Sequence, residues 1–299
     1  MNKDSFFLLS RFDPDKKYPM RICKPYEFPS GIRGFRLGRS LAGPPLMYVY
    51  FYTFGRLMVD TGLSHMGAEV RDIAADVGVN RIFLTHHHED HSGNAAGVSR
   101  TTGATVYGHP QCRDKLAGGY PILPYQKIIW GKTTPVDVSG LPGRIDTPLG
   151  PMIPVHTPGH SRDHIVYHLP EQGVLFSGDL YLGDRIKYFR SDEDLGEEIA
   201  SLKKVLALNF DTLLCNHNPK KTGGKDHIRT KLDFMENLYG GVANLYAEGC
   251  GEKEIFTRLQ LREDTFTKWF CFGNVSMMNG VRSVIRHLNG AGTKESSAA

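Results

Sequence analysis

Long apolar runs, paired cysteines and an excess of charge of one sign are all missing from this 299-residue sequence. No run approaches the roughly 20 apolar residues of a transmembrane helix, so we expect no membrane partner. The five cysteines are odd in number and far apart, and they predict no disulfide framework. The net charge of +4 is small and comes without a dense basic stretch, which argues against a nucleic-acid partner.

The N-terminal residues lack the pattern of a secretion signal. The short apolar run at 6–9 is ended by Arg11 and Asp13, and no small-residue cleavage site follows it. Apolar residues make up 40% of the chain and charged residues 23%, which is typical of a soluble globular protein. We therefore expect a cytoplasmic protein.

Histidine is concentrated in one stretch, Thr-His-His-His-Glu-Asp-His-Ser-Gly-Asn, at residues 85–94. It follows an apolar run at 80–84 that predicts a buried strand, and residues 92–95 indicate the start of a helix. His86 and His88 are two residues apart, so in extended backbone they point to the same side.

Asp90 and His91 follow where the chain turns, so one loop could serve two metal ions. Neutral imidazoles and a carboxylate are ligands that zinc, iron and manganese accept. The alternative is a polar surface loop that happens to be rich in histidine. We disfavour it because further ligand-type residues appear downstream, each at the end of an apolar run.

Five short motifs follow one another along the chain: Met58-Val59-Asp60-Thr61-Gly62, His86-x-His88-x-Asp90-His91, Thr157-Pro158-Gly159-His160-Ser161, Phe176-Ser177-Gly178-Asp179 and Cys215-Asn216-His217. In this order they resemble the motifs of the metallo-β-lactamase superfamily of metallohydrolases, and five ordered motifs are far more specific than one. The last histidine follows Asn216, whereas in the family it usually follows a glycine.

The resemblance implies two divalent metal ions per chain. Zinc is expected, with iron or manganese as alternatives. The first ion would be held by three histidines, and the second by an aspartate and two histidines, with a further aspartate bridging them: His86, His88 and His160; Asp90, His91 and His217; and Asp179.

The same resemblance implies a catalytic role for Asp90, which would orient a hydroxide between the two metal ions. The pKa of water falls from 15.7 to about 7 on zinc, so hydroxide is available at neutral pH. Three further residues are candidates for support or substrate contact. Asp60 would support the metal loop, His164 would lie behind the ligands, and Tyr181 would donate a hydrogen bond to a developing oxyanion.

The fold implied is of the α/β (α+β) class, a four-layer αββα sandwich with a helical C-terminal region. We expect a metallohydrolase domain at 1–225, helices packed on it at 226–289 and a disordered tail at 290–299. The helical region could be a structural cap, a lid or the surface of a homodimer.

The finer resemblance is to thioesterase-like and lactonase-like branches, so a small-molecule thioester or lactone is the expected substrate. No cysteine occupies the place of a second-metal ligand, which separates the chain from true zinc β-lactamases. Aromatic residues of the 120–130 loop and the C-terminal helices could enclose an acyl group. The alternatives are a phosphodiesterase, an iron-dependent redox enzyme and a signalling protein that acts through a partner contact.

Overall fold

Two β-sheets with helices packed on them form the described part of the chain, residues 20–296 of a computed structural model, with side chains described to residue 290. The chain divides into two compact units, one running up to Pro142 and including 147–149, the other comprising 143–146 and the chain from Gly150. Residues 6–13, on which the expectation about secretion depends, lie outside the described part. The expected mixed α/β class is confirmed, whereas the domain bounds given above stay a prediction.

The sheet of the first unit has seven strands in the order of the sequence: β1 (Met20–Glu27), β2 (Arg33–Ser40), β3 (Val49–Phe54), β4 (Leu57–Val59), β5 (Arg81–Phe83), β6 (Thr105–Gly108) and β7 (Ser139–Gly140). Strands β1 to β4 pair antiparallel, and β4 to β7 pair parallel. Five helices connect them: α1 (Gly67–Val77), α2 (Glu89–Ser92), α3 (Ala95–Thr102), α4 (Pro110–Gly118) and α5 (Pro124–Ile129).

Helix α1 shows how the sequence builds this unit. Its buried side chains, among them Val70 and Ala74, share one apolar cluster with Ile82 of β5. The helix ends at Gly78, which has a φ of 67° and donates its backbone N–H to carbonyls of the last turn. A left-handed residue of this kind favours glycine, which explains why the helix ends at Gly78. Strand β5 then runs parallel to β4, and the histidine-rich loop follows the end of β5.

The second unit has a five-stranded sheet in the order β13-β11-β10-β9-β8: β8 (Ile145–Thr147), β9 (Gly150–His156), β10 (Ile165–Leu169), β11 (Val174–Gly178) and β13 (Thr212–Cys215). Strands β12 (Phe189–Arg190) and β14 (Val275–Ser276) form a separate antiparallel pair. The helices are α6 (Leu195–Leu206), α7 (Gly224–Ala247), α8 (Glu252–Arg258), α9 (Thr265–Phe270) and α10 (Met277–Ser296).

The C-terminal helices pack on the sheet of the second unit. Ile228, Met235 and Val242 of α7 are fully buried and belong to one apolar cluster with Leu213 of β13 and Val281 of α10. These residues lie at helical spacing on one face of α7, as the sequence predicts. Helix α10 continues to Ser296, past residue 289, where the helical region was expected to end. Within residues 20–296, no helix combines the length and apolar character needed to cross a membrane.

Two regions differ from the sequence-based expectation. The sequence before residue 45 is rich in proline, glycine and arginine and shows no long periodic pattern, yet β1 and β2 pair over eight residues each. Strand β1 was missed because half of its side chains are exposed and it contains Pro25, a pattern that edge strands tolerate. Helix α9 forms in an aromatic-rich stretch between α8 and α10. Asp264 caps it by accepting from the N–H of Thr267.

Candidate metal centre

The histidine-rich loop runs from the end of β5 to α2, and its ligand-type side chains are buried. Nε2 of His86 lies 2.8 Å from Nδ1 of His88. Nε2 of His91 lies 3.8 Å from Oδ2 of Asp90. The loop therefore contains two close pairs of ligand-type atoms, and its binding of two ions stays a prediction.

Hydrogen bonds leave Nε2 as the ligand atom of two of these histidines. Nδ1 of His91 lies 2.8 Å from Oδ2 of Asp60, and both side chains are fully buried. Nδ1 of His86 lies 3.1 Å from Oγ1 of Thr85. An acceptor at Nδ1 places the imidazole proton there, so the lone pair of Nε2 is available to a metal.

Asp60 organises the loop through both carboxylate oxygens. Oδ1 accepts the backbone N–H of Thr85 at 2.8 Å, and Oδ2 accepts the Thr85 hydroxyl at 2.8 Å as well as contacting His91. The Asp60 backbone has a φ of 56°, which is unusual for a residue other than glycine but is tolerated by aspartate. Asp60 thus contacts both Thr85 and His91, and its role in supporting bound metal stays a prediction.

His87 contacts residues outside the motif, and its ring also lies edge-on to that of His88 at 4.7 Å between centroids. Its Nε2 accepts from Nζ of Lys115 at 3.0 Å, and its ring packs edge-on against Tyr120 at 5.1 Å between centroids. The Tyr120 hydroxyl donates to the His87 carbonyl at 2.7 Å. Burial, with the nearby carboxylates of Glu89 and Asp90, raises the pKa of Tyr120 well above its ordinary value. Tyr120 is therefore a neutral donor that supports the loop.

No side chain would fit at Gly93, near the end of the histidine-rich stretch. A Cβ there would lie 2.4 Å from the carbonyl oxygen of Glu89 and 2.7 Å from that of Gly62. Asn94 then reaches back, and its side-chain amide donates to the carbonyls of Thr61 and Leu63 at 2.8 and 2.9 Å. This close approach fixes the first motif against the histidine loop.

The second unit brings its three ligand-type residues together around Asp179. Oδ2 of Asp179 lies 3.5 Å from Nε2 of His160, and Oδ1 lies 3.4 Å from Nε2 of His217. The N–H of His217 donates to Sγ of Cys215 at 3.2 Å. Cys215 therefore shapes the turn that carries His217, and burial raises the pKa of its thiol.

Glu193 is the residue of this set that the sequence analysis missed as a site residue. Its Oε1 lies 2.7 Å from Nδ1 of His160, and its Oε2 accepts the backbone N–H of Arg190 at 3.0 Å. Burial, the largest single influence, lowers the pKa of His160, but the hydrogen bond to Glu193 and the negative charges of Glu193 and Asp179 together outweigh it and raise that pKa. The carboxylate fixes the imidazole with Nε2 towards Asp179. The only signal in the sequence is an acidic residue before α6, a place where acidic side chains ordinarily favour the helix dipole.

His164 supports Asp179 from behind. Its Nε2 accepts the backbone N–H of Asp179 at 3.1 Å, while its Nδ1 lies 2.9 Å from Oγ1 of Thr157. His164 thus links the motif of His160 to that of Asp179, and its role behind metal ligands stays a prediction.

Tyr181 makes a different contact from the one expected. Its hydroxyl donates to Oδ1 of Asp184 at 2.7 Å, and His227 lies 2.8 Å from the same oxygen. Burial and the Asp184 carboxylate raise the pKa of Tyr181 above its ordinary value. Its single hydroxyl hydrogen is therefore bonded to a carboxylate, whereas donation to an oxyanion was expected.

The residues of each unit fit a metal ion by their donor types and spacing. Two ligands of one tetrahedral zinc ion, each at about 2.1 Å, lie about 3.4 Å apart. The two distances around Asp179, 3.5 and 3.4 Å, match this separation. The 2.8 Å between Nε2 of His86 and Nδ1 of His88 is shorter and is a hydrogen-bond distance. The donors are imidazoles and carboxylates, which suit zinc, iron and manganese.

Curated relatives are similar to this chain over half to two thirds of its length. A hydroxyacylglutathione hydrolase from Gloeothece citriformis is 33% identical over 198 residues, covering 63% of this chain and 70% of that protein. An atrochrysone carboxyl ACP thioesterase from Passalora fulva is 30% identical over 157 residues, covering 50% and 41%. A lactamase-like protein from Emericella nidulans is 29% identical over 207 residues, covering 66% and 59%. The chain thus spans less than two thirds of two of these three relatives.

A solved structure shares the fold over nearly the whole chain. The β-lactamase domain protein from Burkholderia ambifaria superposes with a TM-score of 0.63 at 16% identity, covering 93% of each chain. The sequence profile described as the metallo-beta-lactamase superfamily matches residues 42–217, more than half of the chain. With the histidine loop, the strand-end aspartates and the later histidine motifs in place, this match shows that the chain belongs to the metallo-β-lactamase superfamily, whose members are generally hydrolytic metalloenzymes.

Proposed function

We propose that this protein is a dinuclear metal-dependent hydrolase that cleaves a thioester or a lactone. One observation carries the dinuclear part. Asp179 offers a different carboxylate oxygen to each of two imidazoles, those of His160 and His217. A carboxylate that faces two ligands through separate oxygens suits a bridge between two ions.

The proposed ligand set follows the family match. Three histidines would bind the first ion, and one aspartate and two histidines the second, with Asp179 shared: His86, His88 and His160 for the first; Asp90, His91 and His217 for the second. Neutral nitrogen and anionic oxygen donors suit zinc, which is the metal of this proposal, with iron or manganese as alternatives.

When bound, the two metal ions would supply activation of a water molecule and polarisation of the substrate carbonyl. The protein's own residues do the remaining work. Asp90 would accept a hydrogen bond from that water and hold its oxygen towards the acyl carbon. Asp60 and Glu193 keep His91 and His160 in the tautomer that leaves Nε2 unprotonated. The water oxygen adds to the acyl carbon, and the C–S bond of the thioester or the ring C–O bond of the lactone then breaks. The proton released from the water passes to the thiolate or alkoxide that leaves.

The acyl substrate is proposed on chemical grounds and on the relatives. The names of two relatives refer to an acylglutathione and to a thioesterase acting on an acyl carrier protein. The net charge of +4 comes without a dense basic stretch that would steer a polyanion such as a nucleic acid.

The test combines metal content with a substrate panel. Protein purified without chelators is analysed for metals, and two ions per chain are expected. The metal-loaded protein is then assayed on thioesters, lactones and phosphodiesters, with chelator-stripped and reconstituted samples as controls. A metal content that never exceeds one per chain after reconstitution contradicts the dinuclear proposal. A phosphodiester that is turned over with a kcat/KM far above every thioester and lactone contradicts the acyl substrate.

A further inference from the structure

A lysine and a glutamate form a fully buried ion pair in the second unit. Nζ of Lys231 on α7 lies 2.6 Å from Oε1 of Glu198 on α6, and their side chains are 1% and 4% exposed. Taking both charges out of water costs several kcal/mol, and apolar residues of similar size often serve stability as well. A pair at this depth therefore calls for a reason other than stability.

Lys231 also reaches the loop of a proposed metal ligand. Its Nζ donates to the carbonyl oxygen of Leu180 at 2.7 Å. Leu180 directly follows Asp179, and its side chain is fully buried. The ammonium thus holds the peptide group next to the proposed bridging carboxylate, a contact that no apolar side chain could make.

Helix α6, which carries Glu198, holds the loop of His160. The N–H of Asp194 donates to the carbonyl of Gly159 at 2.8 Å, and the Ser201 hydroxyl donates to that of Pro158 at 2.7 Å. A Cβ at Gly159 would lie 2.4 Å from the Glu198 backbone nitrogen, and Gly159 has a φ of +134°. The loop therefore lies directly against the first turns of α6.

We propose that Lys231 is a positioning residue for the metal centre, holding the Asp179 loop at Leu180 and, through Glu198, the helix against which the His160 loop packs. This inference rests on the proposed function, because it assumes that Asp179 and His160 bind metal. It also gives helix α7 a direct effect on the site in addition to its packing on the sheet.

The central variant is Lys231→Met, which keeps an apolar stem and removes the ammonium. The matched control is Lys203→Met. Lys203 also pairs α6 with α7, through Glu236 at 2.6 Å, but both side chains of that pair are about half exposed and touch neither loop. Chelator competition measures the metal dissociation constants. The absorption of the cobalt-substituted protein reports the ligand geometry, and thermal unfolding of the metal-free protein reports stability.

We expect Lys231→Met to weaken metal binding by about tenfold or more, the size seen when partners behind the ligands are removed, and to change the cobalt spectrum. Lys203→Met should match the wild type in both. The double variant Lys231→Met/Glu198→Met removes the buried unpaired carboxylate, so its metal-free melting temperature should recover while metal binding stays weak. Lys231→Arg, which keeps charge and donors, should recover part of the affinity.

Two results overturn the role of Lys231. One is wild-type affinity and spectrum in Lys231→Met. The other is full recovery of both in the double variant, which would leave only the stability of an ion pair. A wild-type protein that binds no metal would instead contradict the proposed function, so the two failures are distinguishable.

Discussion

Nδ1 of His160 lies 2.7 Å from Oε1 of Glu193, and both side chains are buried. The contact decides which imidazole nitrogen carries the proton, and it thereby leaves Nε2 to face Asp179. Asp60 makes the equivalent contact to Nδ1 of His91 at 2.8 Å in the first unit. Each unit thus contains a buried carboxylate that orients a histidine, a recurrent feature of metal-binding histidines.

Replacing Glu193 tests this arrangement in the second unit. Glu193→Ala should weaken metal binding by about 10- to 100-fold, because the imidazole of His160 loses its orienting acceptor. Glu193→Gln keeps a neutral acceptor and should lose less. Chelator competition at fixed pH measures both. Asp192→Asn, a change at the neighbouring exposed carboxylate, is the control and should bind metal normally. Equal affinities in all three variants would contradict the role of Glu193.

Asp60→Asn tests the support of the histidine loop in the first unit. Asparagine tolerates the left-handed backbone at this position, so the effect comes from lost hydrogen bonds. One carboxylate oxygen becomes an NH₂ group that faces the donors of Thr85 or His91. An unsatisfied buried donor costs about 1–3 kcal/mol, so the urea midpoint should fall and metal content should drop. An unchanged midpoint with full metal content would show that Asp60 is not required.

His88→Ala and His87→Ala separate ligand from scaffold within one motif. His88→Ala should lose metal and most activity, because His88 is a proposed ligand of the first ion. Its Nδ1 lies 2.8 Å from Nε2 of His86, another proposed ligand of that ion. His87→Ala should retain metal, since its imidazole contacts Lys115 and Tyr120, and only its melting temperature should fall. Elemental analysis and thermal unfolding of both variants provide the comparison. Equal loss of metal in the two would mean that the alternation along the loop is wrong.

The histidine loop was readable from sequence because its residues are adjacent and follow a buried strand. Asp60 was readable for a similar reason, since it ends a strand of an ordered motif. Glu193 was not, because it lies 33 residues from His160 and resembles an ordinary acidic start of a helix. Lys231 lies 51 residues from its carbonyl partner Leu180 and sits in an amphipathic helix, where a lysine is normally solvated.

The fold shows the same division between local and distant information. Helix α1 and the β10–β11 hairpin are encoded locally, by apolar spacing and by turn residues. Strand β1 depends on pairing with β2 along its whole length, and pairing partners are not encoded in its own half-exposed, proline-containing sequence. The second sheet order, with β13 parallel to β11, likewise depends on the intervening α6.

The C-terminal helices should be required for the second unit to fold. Met235 of α7 is fully buried in the cluster that contains Leu213 of β13 and Leu202 of α6. Met235→Ala should lower the free energy of unfolding by about 2–5 kcal/mol, the usual cost of a cavity left by a large buried side chain. Glu236→Ala, at the next position with a partly exposed side chain, is the matched control and should change it by less than about 1 kcal/mol. Urea unfolding followed by circular dichroism gives both values.

Deleting the chain from Gly224 onward tests the same prediction with all the C-terminal helices removed. It removes Ile228, Met235 and Val242 together and leaves the apolar side chains of α6 and β13 that they cover without a partner. At about 25 cal/mol for each Å² of apolar surface returned to water, the loss of several such side chains exceeds the few kcal/mol by which domains are stable. The truncated protein should therefore be insoluble or unfolded by circular dichroism. A soluble, cooperatively folding and fully active truncation would show that the helices are an independent appendage, and it would also contradict the positioning role of Lys231.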